Sequence, residues 1–320
     1  MGEQMQSRRV TFMGYGACAL AGCLWGTGFY FGRLALNEMS VEAMVLYRFL
    51  FASLGMLPFA LFQRVRFTRS EVGILLISTA FGIPVQFLLQ FHGLALTTVS
   101  HASLMVGSMP VLLAAAAAIF AGEKLDWLGW MALTGSTIGV ALIVLGGSRG
   151  PATRGEPSLA GDLLVVASLV TALAWVLLNK KLMQTHSPMV VTSYSILAGT
   201  LMLAAMILGP WALQTLFGSR ALEPLPVATV SHTAWIALAI SGLLCTATTT
   251  LLWNWGIHHV PASRAGVFLN IEPALGSLLG VRLLGEHLGP FAWVGGGLIL
   301  AAAVTLTARG NASNPEVLLE

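Results

Sequence analysis

The chain has 320 residues, of which 56% are hydrophobic and 9% are charged, with a formal net charge of +3, and its mean hydropathy is +0.82. Soluble domains carry about 25% charged residues, so this composition excludes a water-soluble enzyme or binding module. The basic residues are scattered at the ends of apolar runs rather than gathered on one face, which argues against a nucleic-acid partner and for membrane topology.

A membrane-spanning helix needs about 20 mainly apolar residues. Ten windows qualify, at 12–33, 43–62, 72–92, 100–121, 127–146, 160–180, 189–209, 233–255, 264–284 and 290–308. Residues 1–11 precede the first as a short tail. Leu20-Ala21-Gly22-Cys23 has the form of a lipoprotein cleavage box, yet the sequence stays apolar through Phe31, so it is read as membrane. The windows are separated by Arg64-Val65-Arg66, Glu123-Lys124, Arg149 to Glu156, Lys180-Lys181, Pro210 to Pro226, His258-His259 and Gly285-Glu286, and only Leu213 to Thr233 is a substantial loop. Windows of this length suit helices that satisfy their own backbone, whereas barrel strands would run to about ten residues of alternating polarity. Cys18, Cys23 and Cys245 fall inside apolar runs without metal-ligand spacing and are read as packing residues.

The chain also repeats itself. Ser100, Ala102, Pro110, Leu112, Gly122-Glu123, Leu125 and Trp130 recur at a constant shift of 163 residues as Ser263, Ala265, Pro273, Leu275, Gly285-Glu286, Leu288 and Trp293. The expected organisation is an all-α membrane protein with units at 12–147 and 160–308, a linker at 148–159 and a tail at 309–320. With the amino terminus inside, Arg8, Arg9, Arg64, Arg66, Arg69, Lys124, Lys180, Lys181, Arg264 and Arg309 face the cytoplasm, against Arg33, Arg149, Arg154, Arg220 and Arg282 outside. That bias puts both termini in the cytoplasm. Five spans per unit is an odd number, so ten transmembrane helices form two inverted five-helix repeats, an architecture of many secondary transporters.

Several residues could carry function. Pro110 and Pro273 sit at equivalent depths, and each should kink its helix by releasing the carbonyl four residues earlier, on Val106 and Leu269, so both are candidate hinges. Pro84 has Ala247 at the same shift and is read as a packing kink. Glu272 is an acidic residue near mid-span, where a carboxylate needs water or a partner. Three readings stand: a proton-coupling group, a counter-ion for a cationic substrate, and a structural ion pair with Arg48. Glu123 and Glu286 are expected to cap the helix that follows each, with Arg282 as a partner for Glu286.

Trp25, Gln86, Gln90, Trp175, Asn179, Trp253 and Asn270 are candidate cavity residues, because an apolar pocket with a few amides and indoles suits a small organic ligand. Trp130 and Trp293 fit an aromatic belt. His92, His101, His258 and His259 are read as solvated residues near a membrane face. Gly22-x-x-x-Gly26, Gly28-x-x-x-Gly32, Gly135-x-x-x-Gly139 and Gly295-Gly296-Gly297 are expected at close helix contacts.

Asn270-Ile271-Glu272-Pro273-Ala274-Leu275 followed by Gly285-Glu286-His287-Leu288, echoed by Ser108-Met109-Pro110-Val111 and Gly122-Glu123-Lys124-Leu125, resembles EamA-type members of the drug/metabolite transporter superfamily. The likeness runs from about residue 14 to 307. It implies a cavity between the units lined by helices one, three, four, six, eight and nine, and supports Trp25, Gln90, Trp175, Trp253, Asn270 and Glu272 as its lining. A basic residue deep in that cavity is not evident in the sequence, which argues against strongly anionic cargo.

The expected function is alternating-access transport of a small neutral, zwitterionic or cationic organic molecule across the bacterial inner membrane, with amino-acid or metabolite export the best single reading. The expected partners are substrate, lipid and protons, in a monomer or homodimer. No cofactor or metal is expected. The sequence has neither a phosphate-binding Gly-x-x-x-x-Gly-Lys run nor a His-Glu-x-x-His helix. A non-transporting sensor or scaffold and an intramembrane enzyme are the alternatives.

Overall fold

The computed structural model describes residues 2–63, 65–120, 127–146, 156–217, 230–259 and 268–309, and every regular element among them longer than a single bridge is helical. The first unit holds α1 (Gly2–Leu36), α2 (Val41–Phe62), α3 (Arg69–Ala80), a π-helical segment (Phe81–Val85), α4 (Gln86–Ala95), α5 (Val99–Val106), α6 (Met109–Phe120) and α7 (Trp127–Gly146). The second holds α8 (Leu159–Leu182), α9 (Pro188–Phe217), α10 (His232–Gly242), a second π-helical segment (Leu243–Thr248), α11 (Thr249–His259), α12 (Ile271–Leu283) and α13 (Pro290–Arg309). Glu123, the linker through residue 155, Arg264 and the tail from residue 310 lie outside the described residues.

Among the described residues, seven helical stretches are long and apolar enough to cross a membrane, and Val99–Leu112 and Pro290–Thr305 are shorter apolar helices. The fourth window is broken, and the ninth is described only from Phe268. Two boundaries differ from expectation. Helix α1 already runs from Gly2, and α9 continues through Pro210 to Phe217, so the chain stays helical into the stretch read as a loop.

Side-chain oxygens start five of the helices. Ser40, Thr68, Thr98, Ser158 and Ser231 each accept the backbone amide three residues on, and Thr68 forms a full capping box with Glu71. Polar residues at the span ends thus satisfy amides that the first helical turn leaves without partners.

The helices are apolar around most of their circumference, as a bundle in lipid requires. Leu54, Leu61, Phe62, Leu201, Ile236 and Val294 are exposed on its surface. The core is shared: Phe29, Met44, Phe49, Phe91 and Met105 from the first unit pack in one cluster with Val165, Leu203, Leu238 and Ile299 from the second.

Contacts between the units follow the repeat. Helix α2 packs on α9 and α7 on α13, while α4 packs on α8 as α11 packs on α1. The first π-helical segment rests on α8 and α9, and the second rests on α1 and α2. Swapping each element for its duplicate therefore maps these contacts onto one another.

Glycines allow the closest approaches. A Cβ on Gly139 would meet the Gly295 carbonyl, and one on Gly295 would meet that of Gly139, whereas Gly135 and Gly297 face open space. Gly22 and Gly26 lie against the backbone of Phe268 and Glu272, so the small-residue motif of α1 seats α12. Gly276 and Gly280 form a further pair, passed over in the sequence, that receives Ser103 and Ser100 of α5.

Candidate functional site

Two interruptions shape the interior. Phe81–Val85 and Leu243–Thr248 are π-helical and fall at the same place in each unit. Single π turns inside helices add a residue and are frequent at functional sites. Pro84 lies in the first and lacks the N–H that a regular helix would use. In the second, Thr246 donates to the Ser241 carbonyl at 3.0 Å and Thr249 to the Leu244 carbonyl at 2.6 Å, each spanning five residues. The expectation of Pro84 as a local packing kink is therefore corrected, because the wide turn recurs where proline does not.

The two prolines expected to kink continuous helices each lie just past an interruption. Helix α5 ends at Val106, the chain turns at Gly107-Ser108, and Pro110 is the second residue of the new helix α6. In the ninth window the chain turns at Asn270, and Pro273 is the third residue of α12. Proline is tolerated in a first turn, where its missing N–H has no helical partner to lose. Each interruption falls between the proline and the carbonyl four residues earlier, on Val106 and Leu269, where the missing N–H releases the helix.

The second interruption presents Cys245 and Thr246 to α1 and α2. The Arg48 side chain is buried, and its Nε donates to Thr246 Oγ1 at 3.0 Å. Its guanidinium carbon stands 5.1 Å from the ring centres of both Phe87 and Phe91 on α4, a cation–π contact with the two stacked rings on one side. Thr27 Oγ1 donates to the Leu24 carbonyl and lies 3.2 Å from Cys245 Sγ. A Cβ on Gly28 would sit 3.7 Å from Arg48 Nη2.

Glu272 stands in the first turn of α12, where the positive end of the helix dipole favours a carboxylate. It lies within electrostatic reach of Arg48 and Cys245, yet no N···O contact within 4 Å joins it to Arg48. The direct ion pair entertained from the sequence is absent. Trp25 of α1 and Trp253 of α11 form a tilted pair with ring centres 5.5 Å apart. Arg48 also corrects the view that no basic residue lies deep between the units.

The other expected site residues divide. Trp175 packs its indole onto Gly82 of the first interruption, with its Nε1 buried and unpartnered. Asn179 accepts a hydrogen bond from Ser78 at 2.6 Å, tying α8 to α3. Gln86 opens α4 with its Oε1 buried and unpartnered, and Gln90 is buried one turn on. Asn270, with both amide atoms unpartnered among the described residues, borders a groove of about 410 Å³ between α1 and α12 that Cys23, Ile271, Ala274, Leu275 and Leu278 also line. The structure thus brings Glu272 within electrostatic reach of Arg48, pairs Trp25 with Trp253, and sets Trp175 and Asn179 against the opposite unit's third span.

Glu286 overturns its expected role. Gly285 adopts a left-handed φ of 67°, which glycine tolerates. The chain then turns so that the Glu286 carboxylate accepts the amides of Val99 and Ser100 at 2.8 Å each and the Ser100 hydroxyl at 2.6 Å. It caps α5 in the other unit, not the helix after it, and Arg282 is exposed instead of paired with it.

A buried polar network at the same end was also missed. Arg33 donates to the Thr97 carbonyl, the Thr97 hydroxyl donates to Asp162, and His101 Nδ1 lies 3.4 Å from the other Asp162 oxygen. His101 and Asp162 are buried, so the reading of His101 as solvated is corrected. His92 is exposed beside Glu42 at 3.1 Å, and His259 lies 2.8 Å from the Trp255 carbonyl.

Comparison with known proteins follows the same two-unit division. The sequence matches the EamA-like transporter family over residues 12–145 and 159–308. An uncharacterized transporter of Archaeoglobus fulgidus is 23% identical over 91% of this chain and 96% of its own length. A Streptantibioticus cattleyicolor protein named "Probable terminal-alkyne amino-acid exporter" is 25% identical over 93% of this chain and 96% of its own length. A solved crystal structure shares the fold with a TM-score of 0.58 at 18% identity, covering 96% of this chain and 99% of the other. The chain is a multi-pass membrane protein and belongs to the EamA-like transporter family.

Proposed function

We propose that this protein is a secondary transporter that exports a small neutral, zwitterionic or cationic organic molecule, an amino acid or related metabolite, by alternating access. In this reading ten helices cross the bacterial inner membrane as two inverted five-helix units, with both termini in the cytoplasm. The observation that carries the proposal is the buried Arg48 between the units, whose terminal nitrogens no hydrogen bond among the described residues reaches, with Glu272 within electrostatic reach. Ionisable residues inside a membrane protein are costly and mark substrate or ion pathways. The likeness to a protein named as an amino-acid exporter points the same way.

Two polar latches join the units. Glu38 accepts the amide and hydroxyl of Ser231 at 2.6 Å each, and Glu71 accepts the Thr185 hydroxyl at 2.9 Å. Thr68, which caps the helix bearing Glu71, corresponds to Ser231 at the repeat shift. An inverted pair puts these latches on opposite membrane faces, so rocking the units strains one while sparing its counterpart. The breaks at Gly107-Ser108 and Asn270 supply flexible points, with Pro110 and Pro273 stiffening the helices that swing. Glu272 serves as the coupling group by exchanging a proton when substrate leaves.

Counterflow in proteoliposomes tests the function. Liposomes loaded with unlabelled amino acids should accumulate labelled external amino acid transiently, and an imposed proton gradient should change the rate. Folded, reconstituted protein that exchanges no organic solute would overturn the proposal.

A further inference from the structure

We infer that Arg48 and Glu272 form a split-charge site for the zwitterionic head of an α-amino acid with an uncharged side chain, Arg48 taking the carboxylate and Glu272 the ammonium. The inference rests on the transporter reading and narrows its substrate class.

Arginine remains charged inside proteins, and its planar fork matches a carboxylate. At Arg48 the fork is held along one edge and from one side: Thr246 binds Nε, and the Phe87 and Phe91 rings of α4 lie together beside the guanidinium. No hydrogen bond among the described residues reaches its two terminal nitrogens. Those nitrogens are the donors that bind a carboxylate bidentately.

Glu272 is in the complementary condition. No hydrogen bond or ion pair among the described residues reaches its carboxylate, although Arg48 is near enough to act on it electrostatically. Opposite charges in an apolar interior gain most by direct contact. Here they stay apart, each anchored on its own helix, and a ligand carrying both charges satisfies both at once. A cation alone leaves Arg48 without a partner, and an anion alone leaves Glu272 so. Leaving a buried charge unpaired costs far more than a missing apolar contact.

Helix α1 runs past both residues: Gly28 adjoins the guanidinium, Gly26 packs against the Glu272 backbone, and Thr27 is turned onto Cys245. Trp25, immediately before Gly26, and Trp253 offer an apolar surface to the substituent.

The test uses the purified full chain with L-leucine, L-phenylalanine and L-threonine, and with the amide and N-acetyl derivative of each. Thermal protection gives binding, and counterflow gives transport. At least one free amino acid should protect at a concentration tenfold or more below that of both its derivatives. Arg48→Gln should abolish the preference over the amide, and Glu272→Gln the preference over the N-acetyl form. Arg48→Lys keeps the charge but not the fork, and it should retain partial preference if Arg48→Gln does not fold. Equal protection by the single-charge derivatives, or no protection by any free amino acid, overturns the inference. Should other solutes still exchange in counterflow, the transporter reading survives that failure; should none exchange, both fall.

Discussion

The two π-helical interruptions occupy the same place in the duplicated units but are built and used differently. Phe81–Val85 contains Pro84 and lies under the Trp175 indole, while Leu243–Thr248 is braced by threonine hydroxyls and faces Arg48. The comparison teaches that duplication preserved a backbone shape while the chemistry diverged, leaving the charged centre at one of the two equivalent places.

The largest effect should come from Thr246→Val, which keeps the shape but removes the acceptor for Arg48 Nε. Losing a hydrogen bond to a charged group costs about 1.5–3 kcal/mol, so the unfolding midpoint should drop more than for Ser78→Ala, which cuts a neutral bond to Asn179. Equal drops would mean that the two interruptions are supported alike.

Gly242→Ala and Gly82→Ala sharpen the contrast through packing. A Cβ on Gly242 would strike the Arg48 carbonyl and crowd Phe51, whereas one on Gly82 would strike the Trp175 ring. Overpacking costs about 1–3 kcal/mol. Backbone yields less than a side chain, so Gly242→Ala should destabilise more in thermal denaturation. The reverse order would mean that the Trp175 ring yields less than the α2 backbone.

Glu286→Gln should weaken the cap that the second unit places on α5, by about 0.5–2 kcal/mol on the scale of helix caps. Proteolysis near Val99 should accelerate, while cleavage at α13 should not. Faster cleavage at α13 would restore the local cap expected from sequence.

The smallest effect concerns Glu38, at the turn between α1 and α2. Hydrogen bonds from the Ser231 hydroxyl and amide hold its carboxyl below the usual carboxylate range. A carboxyl depressed in the fold adds stability that is complete above its unfolded value and disappears as pH falls through the folded one. Acid melting should therefore be shallower in Glu38→Gln than in the parent, with a slight difference because the group is exposed. Parallel acid profiles would mean that the latch does not hold in solution.

Span positions were legible because hydropathy and the repeat at 163 residues report independent properties, length against the bilayer and gene duplication. The pairing of Trp25 with Trp253 follows from indoles deep in apolar windows, where they are rare. What failed was non-local. The Glu286 partners lie 186 and 187 residues away, so a local cap was the natural but incorrect reading. Asp162 and His101 sit near span ends, where a sequence suggests water and only the packed bundle reveals burial. The π turns left a proline in one unit and a threonine run in the other, and no pattern common to both. Asn179 was read as cavity lining, yet an amide in an apolar window also suits a helix-to-helix bond, which Ser78 provides.

Side-selective labelling tests the inverted relation of the units most directly. Asn37 lies in the exposed turn after α1 and Gln184 in the exposed turn after α8, its duplicate. In intact cells a membrane-impermeant maleimide should label Asn37→Cys from outside, and should label Gln184→Cys only after the membrane is opened. Labelling of both from the same side would contradict the account.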